Sequence, residues 1–555
     1  MYQETKKIIR KIGVLKFGLC ISTLIFLSSC ATKKEEEKET PKQPNIIFIM
    51  SDDHAYQTIS AYGHGLNNTP NIDRIANEGA IFNRGFVSNS ICAPSRAVMI
   101  TGKHSHINGK VDNIRPFNWD QDNVAKQLQK SGYETALVGK IHLKGDPQGF
   151  NYWNILQGQG QYYAPVFIEN GVKKTIPGYA TTITTDIALN WLDSVRNKEK
   201  PFLLLYHQKA PHRTWMPESK YLDLFKDSTF TPPANFFDNY EGRLAAEANE
   251  MSIFKDMDLV YDLKMLDKDG EIKTRYRPFF QNQYNRMNDQ EREAWDKHYM
   301  PIIKDFKTRD LKGKELALWK FNRYMQDYLS TIQSVDDGVG QVLDYLKENG
   351  LEENTIVVYT SDQGFYLGEH GWFDKRFMYE ESFRTPLLMK YPKEIKPGTV
   401  INELVQNLDF APTFLDYANA EIPAEMQGES LRKLASGETK EWRDALFYSY
   451  YEFPGEHHVK RHYGIRTDRY KLIHFYHDID VWELYDLEKD PTEMTNLYGN
   501  PEYKEVQENM HKKLKEIRKQ YNDSDATNQK YLQEFLDFKA QQKKARLERQ
   551  KQKNK

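Results

Sequence analysis

Short apolar runs recur along the chain, and polar residues follow them. The run Asn45-Ile-Ile-Phe-Ile-Met50 has almost no polar position on either face, which is typical of a strand buried on both sides of a parallel sheet. Similar runs occupy 134–138, 202–207 and 355–360, and segments with helical character lie between the runs at 70–78, 123–130 and 182–196. Strands that alternate with helices predict an α/β fold with a large mixed, mostly parallel sheet flanked by helices.

The pattern changes twice in the rest of the chain. Residues 216–310 are polar, rich in aromatic residues and weakly periodic, so we interpret them as an insertion in a catalytic domain over 45–430 and expect them to line a substrate cleft. From about residue 430 shorter strand patterns appear at 445–448, 470–474 and 482–486, followed by a helix near 502–520. They predict a smaller α+β subdomain over 431–525, and residues 526–555 form a charged helical tail.

The first 29 residues have the pattern of a targeting signal. Basic residues between Lys6 and Lys16 precede an apolar run over 19–27 that is too short to span a membrane in the mature protein. The run ends in Leu27-Ser-Ser-Cys30, which resembles a bacterial lipobox and predicts lipidation (palmitate) of Cys30; the alternative is an ordinary signal peptide with an incidental cysteine. With residues 30–44 as a charged tether, we expect an exported protein, lipid-anchored to a bacterial membrane in the periplasm or at the outer-membrane surface.

Charge and cysteine usage narrow the function further. The 77 Lys and Arg residues nearly balance the 79 Asp and Glu residues, so no nucleic-acid partner is indicated. Of the three cysteines, Cys20 lies in the predicted signal, Cys30 is the predicted lipid site, and Cys92 remains. No pair is left for a disulfide despite the exported setting, so the fold must rest on its core and on any metal that it binds.

Two pairs of polar residues follow predicted strands. Asp52 and Asp53 come after the first run, and Asp362 and Gln363 come after the strand at 355–360. In α/β folds the carboxyl ends of the strands carry the site. Four oxygen ligands, three of them anionic, suit a hard cation such as Ca²⁺ or Mg²⁺ rather than zinc. Taken alone, such an acidic pair is more often a loop or a helix cap.

A third motif is Cys92-Ala-Pro-Ser-Arg96, with Thr101-Gly102 close behind. A buried structural cysteine is the ordinary interpretation of such a pentapeptide. Here it resembles the activation signature of the type I, formylglycine-dependent sulfatases of the alkaline-phosphatase-like superfamily, and further matches follow in the order of that family over most of residues 45–500. They are Asp52-Asp53, Thr69-Pro-Asn-Ile-Asp73, Gly139-Lys-Ile-His142, Ala210-Pro-His212, Ser361-Asp-Gln-Gly364, Gly368-Glu-His-Gly371, Lys375, Trp482-Glu-Leu-Tyr-Asp-Leu487 and Asp490-Pro-Thr-Glu493.

The resemblance implies a bacterial lipoprotein sulfatase that hydrolyses sulfate esters of a sulfated polysaccharide or oligosaccharide. A formylglycine-generating maturation enzyme would oxidise Cys92, and the hydrated aldehyde would attack sulfur. The resemblance also implies that Asp52, Asp53, Asp362 and Gln363 bind Ca²⁺ together with residue 92, with Mg²⁺ as the less expected ion. The family often has Asn where Gln363 stands, and the longer side chain changes the geometry at that ligand.

Five further residues take roles from the resemblance. Arg96 would orient the formylglycine and the nearby carboxylates, as a planar donor fork can. Lys140 and Lys375 would hold the sulfate oxygens. His142 would hold or deprotonate a diol hydroxyl, and His212 would donate a proton to the departing sugar oxygen. Singly, each lysine is more often a surface charge and each histidine a structural group.

Substrate contacts are expected mainly from the segment 452–462, which is dense in basic and titratable side chains. We predict that His457, Arg461 and His462 contact the sugar or a neighbouring anion, with His370 as a similar candidate; a solvated loop is the alternative. The sugar stays open between glucosamine 6-sulfate of host glycans and algal polymers such as ulvan or carrageenan. Two other functions also stay open, a phosphonate or phosphate monoester hydrolase of the same superfamily and an inactive glycan-binding lipoprotein.

Overall fold

The computed structural model describes residues 43–553, so the predicted signal peptide, Cys30 and most of the charged tether lie outside the described residues. Within the described part, no helix combines the length and the apolar character needed to cross a lipid bilayer. Residues 43–553 pack as one compact unit. The boundaries proposed near 430 and 525 fall inside this unit and stay predictions.

The strands form one large sheet, one small sheet and two short pairs. In chain order they are β1 (Asn45–Ser51), β2 (Ala80–Phe82), β3 (Gly85–Phe86), β4 (Glu134–Gly139), β5 (Tyr152–Leu156), β6 (Val166–Glu169), β7 (Val172–Thr175), β8 (Phe202–His207), β9 (Thr355–Ser361), β10 (Tyr366–Leu367), β11 (Phe373–Asp374), β12 (Leu387–Lys390), β13 (Thr399–Ile401), β14 (Val405–Gln406), β15 (Ala445–Tyr450), β16 (His462–Thr467), β17 (Tyr470–Phe475) and β18 (Val481–Asp486). Among the described residues, ten strands make the large sheet in the order β13-β2-β12-β9-β1-β8-β4-β5-β6-β7. Neighbours from β9 to β5 run parallel, whereas β12, β6 and β7 pair antiparallel, which confirms the mixed, mostly parallel sheet.

Helices cover both faces of this sheet. The α-helices of the described residues, in chain order, are α1 (Pro70–Asn77), α2 (Cys92–Thr101), α3 (Ser105–Asn108), α4 (Val124–Lys130), α5 (Ala180–Asn190), α6 (Leu244–Glu247), α7 (Arg277–Asn285), α8 (Asp289–Thr308), α9 (Gly313–Glu348), α10 (Glu380–Phe383), α11 (Phe410–Tyr417), α12 (Arg432–Ala435), α13 (Lys504–Gln520) and α14 (Asp525–Lys553). The helix predicted over 182–196 is α5 continued by one π-helical turn at Trp191–Val195.

The apolar run of β1 is explained by burial on both faces. Ile47 and Ile49 pack on one side of the sheet with residues of α1, α5 and α9. Phe48 and Met50 pack on the other side with residues of α2, α4 and α11. Because successive side chains of a strand point to opposite faces, both sets must be apolar. Each fully buried large side chain contributes about 1.5–3 kcal/mol to the free energy of folding.

The small sheet, β15-β16-β17-β18, is antiparallel and covered on both faces. One face packs against α13 through Met510, Leu514 and Ile517. The other face packs against residues of the segment that follows β11, including Phe377 and Tyr379. This second contact holds the chain after β15 beside the carboxyl ends of the central strands.

The region 216–310 is more regular than its weak periodicity indicates. Its last helix, α8, begins with a reciprocal capping box between Asn288 and Glu291. Trp295, Tyr299 and Ile303 are buried on one face of that helix, while charged residues fill most of the remaining positions. The apolar face is narrow, and the sequence pattern therefore gave little indication of a long helix.

Candidate active site

The two polar pairs meet at the carboxyl ends of β1 and β9. These strands are parallel neighbours, with Ser51 opposite Ser361, so the residues that follow them leave the sheet side by side. Asp52, Asp53, Asp362 and Gln363 are all fully buried. The backbone N–H of Asp53 donates to Oδ1 of Asp362 at 3.1 Å, which ties the two chain segments together.

The donor set fits a hard divalent cation. Asp52, Asp53 and Asp362 each offer an oxygen, and these oxygens lie within 4.8 Å of one another. Burial raises the pKa of Asp53 to about 6; Lys375 lowers it, and the neighbouring Asp362 raises it. Nε2 of Gln363 donates to Oδ1 of Asp53 at 2.5 Å and to Oδ1 of Asp362 at 2.8 Å, while its Oε1 is buried without a hydrogen-bond partner among the described residues. An amide turned end for end would present that oxygen to a cation, so the four residues can supply the all-oxygen set that Ca²⁺ prefers.

Cys92 is the first residue of α2 and lies against this cluster. Its side chain is buried, and Sγ is 3.5 Å from Oδ1 of Asp52. The next backbone N–H, that of Ala93, donates to Oδ1 of Asn113 at 3.1 Å. Burial raises the pKa of the Cys92 thiol to about 12, although Lys375 opposes the shift. Without a bound cation, burial therefore favours the protonated thiol over the thiolate.

Arg96 connects the acidic cluster to the strand end at β4. It lies one turn along α2 from Cys92 and is fully buried. Its Nε donates to Oδ2 of Asp362 at 2.9 Å, and another guanidinium nitrogen is 3.7 Å from Oδ2 of Asp52. A third donor reaches the carbonyl oxygen of Lys140 at 2.5 Å. One planar fork thus fixes two carboxylates and one loop, a task that lysine cannot perform.

Two lysines approach the carboxylates from opposite segments. Lys140 follows β4, is fully buried and contacts Oδ2 of Asp52. Its pKa is lowered well below the usual value by burial and then by Lys209. Lys375 follows β11 and donates from Nζ to Asp53 at 2.7 Å. Burial lowers the pKa of Lys375, but the Asp374 and Asp53 carboxylates outweigh it and raise the pKa overall.

The two candidate histidines differ in their surroundings. Nδ1 of His212 donates to the carbonyl oxygen of Arg213 at 2.5 Å, which leaves Nε2 toward the cluster, 3.8 Å from Oδ2 of Asp53. The corresponding Nδ1 of His142 is buried and has no partner among the described residues. Burial, followed by the charge of Lys140, lowers the pKa of both rings well below the usual value.

These groups open into a pocket of about 420 Å³, within the range of small-molecule sites. Four predicted residues line it: Cys92, His212, Lys375 and His457. The remaining predicted catalytic and metal-binding residues do not line it; all of them are fully buried except His142, which is partly exposed. The structure therefore brings the predicted catalytic and metal-binding residues together at one end of one pocket.

Comparison with known proteins decides the family. A sulfatase domain matches residues 44–420, and a domain described as N-sulphoglucosamine sulphohydrolase, C-terminal, matches residues 368–520. The N-acetylglucosamine-6-O-sulfatase of Bacteroides thetaiotaomicron is 50% identical over 506 residues, which cover 90% of this chain and 90% of that protein. The chain belongs to the sulfatase family. This sulfatase is a hydrolase of sulfate esters, and its family generally uses formylglycine and a divalent metal.

Solved structures agree with the fold of the sulfatase. A protein solved with its substrate, D-glucosamine-2-N,6-O-disulfate, has a TM-score of 0.85 at 50% identity, over 88% of this chain and 99% of that one. The phosphonate monoester hydrolase of Agrobacterium radiobacter has a TM-score of 0.63 at 19% identity, over 86% and 96% of the two chains. The second likeness shows the shared fold alone and carries nothing about the substrate.

Asp374, Arg376 and Glu452 line the pocket of the sulfatase and were among the residues that sequence reasoning missed. Arg376 donates to Oδ1 of Asp374 at 3.3 Å and to Oε1 of Glu452 at 3.2 Å. His457 approaches the same wall, with Nε2 3.3 Å from Oδ2 of Asp374. The only available signal was the charged triplet around Lys375. This polar wall, defined as Asp374, Arg376, Glu452 and His457, can bind sugar hydroxyl groups.

The other three predicted substrate-binding residues do not line this pocket. His370 is buried, with Nδ1 2.8 Å from Oδ2 of Asp238. Arg461 is buried and donates to the carbonyl oxygens of Phe453 at 3.2 Å and Tyr531 at 3.5 Å. His462 is buried and hydrogen-bonded to the backbone on both ring nitrogens. Their positions give no support to a direct role in binding substrate, because the polar atoms are turned into the protein interior.

Proposed function

We propose that this sulfatase removes the 6-O-sulfate from glucosamine residues of a sulfated glycan, with formylglycine at position 92 and a bound Ca²⁺. The observation that carries the proposal is the 50% identity, across 90% of both chains, to an N-acetylglucosamine-6-O-sulfatase. A structure of equal identity holds D-glucosamine-2-N,6-O-disulfate as its substrate. These likenesses favour glucosamine 6-sulfate over the algal polymers.

The pocket has the polarity that such a substrate needs. Its buried end holds Cys92 and the cationic side chains, so the sulfate group enters first. The polar wall stands on the way in and offers a guanidinium, carboxylates and an imidazole to hydroxyl groups of the pyranose ring. A carboxylate can accept from a sugar hydroxyl while an arginine donates to it, so the wall can read the orientation of a hydroxyl group.

Two groups supply the chemistry once they are present. A hydrated formylglycine would offer two hydroxyls on one carbon, one to attack sulfur and a second whose deprotonation would let sulfate leave. A divalent cation held by Asp52, Asp53, Asp362 and Gln363 supplies positive charge at the sulfate oxygens. A cysteine that attacked sulfur would keep the sulfuryl group, whereas the second hydroxyl of the hydrated aldehyde lets sulfate leave, and this chemistry favours a modified residue 92.

The remaining steps belong to side chains of this protein. Lys375 stays protonated between Asp374 and Asp53 and attracts the sulfate. Arg96 keeps Asp52 and Asp362 in place. Without substrate His212 is neutral and its proton is on Nδ1; the negative charge of a bound sulfate raises its pKa, so Nε2 can take up a proton and give it to the departing sugar oxygen. His142, whose pKa is lowered by burial and by the charge of Lys140, would take the proton of the second hydroxyl.

The alternatives are less well supported. A phosphonate or phosphate monoester hydrolase shares the fold, but its likeness is 19% identical and the buried ligand set here is all oxygen. An inactive glycan-binding protein would be free to lose Cys92, Arg96 or the metal carboxylates, whereas all are present and in contact. Equal rates on aryl phosphate and aryl sulfate would favour the hydrolase alternative.

The test uses protein matured with a formylglycine-generating enzyme. Sulfate release is measured from N-acetylglucosamine 6-sulfate, its 3-sulfate isomer and galactose 6-sulfate, and a Cys92→Ala variant serves as the control. Release from the first sugar alone is expected. Mass spectrometry of the peptide that contains residue 92 should show an aldehyde in place of the thiol. Activity of a protein that carries only unmodified cysteine would overturn the mechanism.

We also propose that the enzyme is exported and held at a bacterial membrane by lipid on Cys30. The support is the sequence Leu27-Ser-Ser-Cys30 after a short apolar run. Labelled palmitate should enter the wild-type protein and not a Cys30→Ser variant, and the variant should leave the membrane fraction. Retention of the variant in the membrane would contradict the anchor.

A further inference from the structure

An aromatic rim surrounds the outer part of the active-site pocket. It consists of Tyr261, Tyr276 and Phe279, which line the same pocket as Cys92. All three come from the insertion over 216–310. Exposure rises along the pocket, from 1% for Cys92 to 64% for Phe279, so the rim lies at the mouth.

The rim is held in place by charged groups. Arg213 makes a two-pronged contact with Asp262, at 2.6 Å and 2.9 Å, and its guanidinium lies 5.3 Å from the ring centroid of Tyr261. Tyr261 stacks on Tyr276, with centroids 5.5 Å apart and planes 28° apart. Such cation–aromatic and aromatic–aromatic contacts orient the rings. The surface is therefore preorganised for a ligand.

The outer half of the rim is also supported. Arg275 donates to the hydroxyl of Tyr276 at 2.6 Å and lies over its ring, 4.7 Å from the centroid. Phe279 follows, with its centroid 6.4 Å from that of Tyr276. The aromatic rings thus form a continuous series that begins at Arg213, the residue after His212, and ends at the solvent.

Core packing does not explain Phe279. The neighbouring Phe280 is fully buried and anchors α7, while Phe279 turns its ring toward the pocket mouth and water. A series of three neighbouring aromatic side chains in the lining of one pocket is characteristic of a ligand-binding surface. The pocket thus has two zones, a charged floor with a polar wall and an aromatic mouth.

We propose that the aromatic rim is a subsite for the sugar that is linked to the sulfated glucosamine. This inference rests on the proposed function, because the sulfate must reach the floor and the linked sugar then lies at the mouth. A pyranose ring has an apolar face of C–H groups that packs on an aromatic ring, and its hydroxyls stay in water. The ligand class is therefore a disaccharide or longer glycan.

The test compares two substrates. One is the monosaccharide N-acetylglucosamine 6-sulfate, and the other is a disaccharide that carries the same sulfated sugar at its non-reducing end. Binding is measured by calorimetry in a Cys92→Ala background, and KM is measured in matured enzyme. We expect the wild-type rim to favour the disaccharide by about fivefold, which corresponds to about 1 kcal/mol. Phe279→Ala should remove this preference by weakening the disaccharide about fivefold more than the monosaccharide, whereas Phe279→Trp should retain it.

Phe237→Ala is the matched control, since Phe237 is 50% exposed and lies outside this pocket. This variant should change neither the affinity nor the KM for either sugar. Equal wild-type affinity for the two sugars, or an equal loss on both in Phe279→Ala, overturns the rim subsite while the proposed function stands. If the wild-type enzyme neither binds nor desulfates either sugar, the proposed function fails, and the subsite assignment fails with it.

Discussion

Replacing His212 by glutamine tests which histidine protonates the departing sugar oxygen. The ring of His212 is fixed by the bond from Nδ1 to the carbonyl oxygen of Arg213, at 2.5 Å, so Nε2 is the atom that faces the pocket. Glutamine keeps a polar side chain of similar reach but cannot transfer a proton. The substitution therefore removes the proposed proton transfer and little of the pocket's volume.

The size of the effect depends on the leaving group. General acid catalysis contributes about 10²–10⁴-fold in rate. At about 1.36 kcal/mol for each factor of ten, this range is about 2.7–5.4 kcal/mol of transition-state stabilisation. A sugar alkoxide is a strong base and needs the proton, whereas 4-nitrophenolate is a stable anion and leaves without it. We therefore expect kcat of His212→Gln to fall by about a hundredfold or more on the sugar sulfate, and by less than about tenfold on 4-nitrophenyl sulfate.

The assay measures kcat on both substrates for the wild type, His212→Gln and the matched variant His142→Gln. Mass spectrometry of residue 92 first confirms equal maturation of the three proteins. His142→Gln should slow both substrates alike, because its proposed step follows departure of the alcohol. An equal loss on both substrates in His212→Gln would refute its role as proton donor. A loss of kcat confined to the sugar sulfate in His142→Gln would instead assign the role of proton donor to His142.

Three further changes test the polar wall, the interior and the cation. Arg376→Ala should lower kcat/KM on glucosamine 6-sulfate by about tenfold to a hundredfold, because hydrogen bonds to charged groups are worth about 1.5–3 kcal/mol, and an unchanged value would contradict sugar recognition. Burial lowers the pKa of His462 to about 3, so the unfolded chain takes up a proton below pH 6.5 that the native state does not. The free energy of unfolding of the wild type should then fall by about 2 kcal/mol more between pH 8 and pH 5 than that of His462→Gln. An equal pH dependence of the two proteins would contradict this. Chelation with EDTA should abolish activity and lower Tm. Ca²⁺ at about 100 times its Kd should then restore about 2.7 kcal/mol of the free energy of unfolding. Full activity in EDTA would exclude a required metal.

The sequence was informative where a residue's position follows from a strand end. Asp52 and Asp362 follow long apolar runs, and parallel neighbouring strands must end at the same edge, so their proximity could be predicted. Cys92 could be found because its motif is local. Arg461 was predicted from local density of charge, and His370 was named as a similar candidate within Gly368-Glu-His-Gly371; neither pattern carries information on which way a side chain points. Both are turned inward, to Asp238 and to backbone carbonyls.

The polar wall could not be predicted for a different reason. Arg376 meets Glu452 across 76 residues of chain, from the segment after β11 to the loop after β15. That contact exists only because the small sheet packs on Phe377 and Tyr379. Asp374 and Arg376 also have positive φ angles of 79° and 100°, a local geometry that no apolar periodicity indicates.

Recognition and chemistry share one structural link in this enzyme. Glu452 accepts from the backbone N–H of Asn113 at 2.7 Å, and Oδ1 of Asn113 accepts from the backbone N–H of Ala93 at 3.1 Å. The wall proposed to bind the sugar therefore also supports the first turn of α2, where residue 92 stands. A wall variant that disturbs Glu452 can slow every substrate by displacing the nucleophile. Hydrolysis of an aryl sulfate, which lacks the sugar, separates the two effects: a loss on the sugar sulfate alone belongs to recognition, and a loss on both belongs to the position of residue 92.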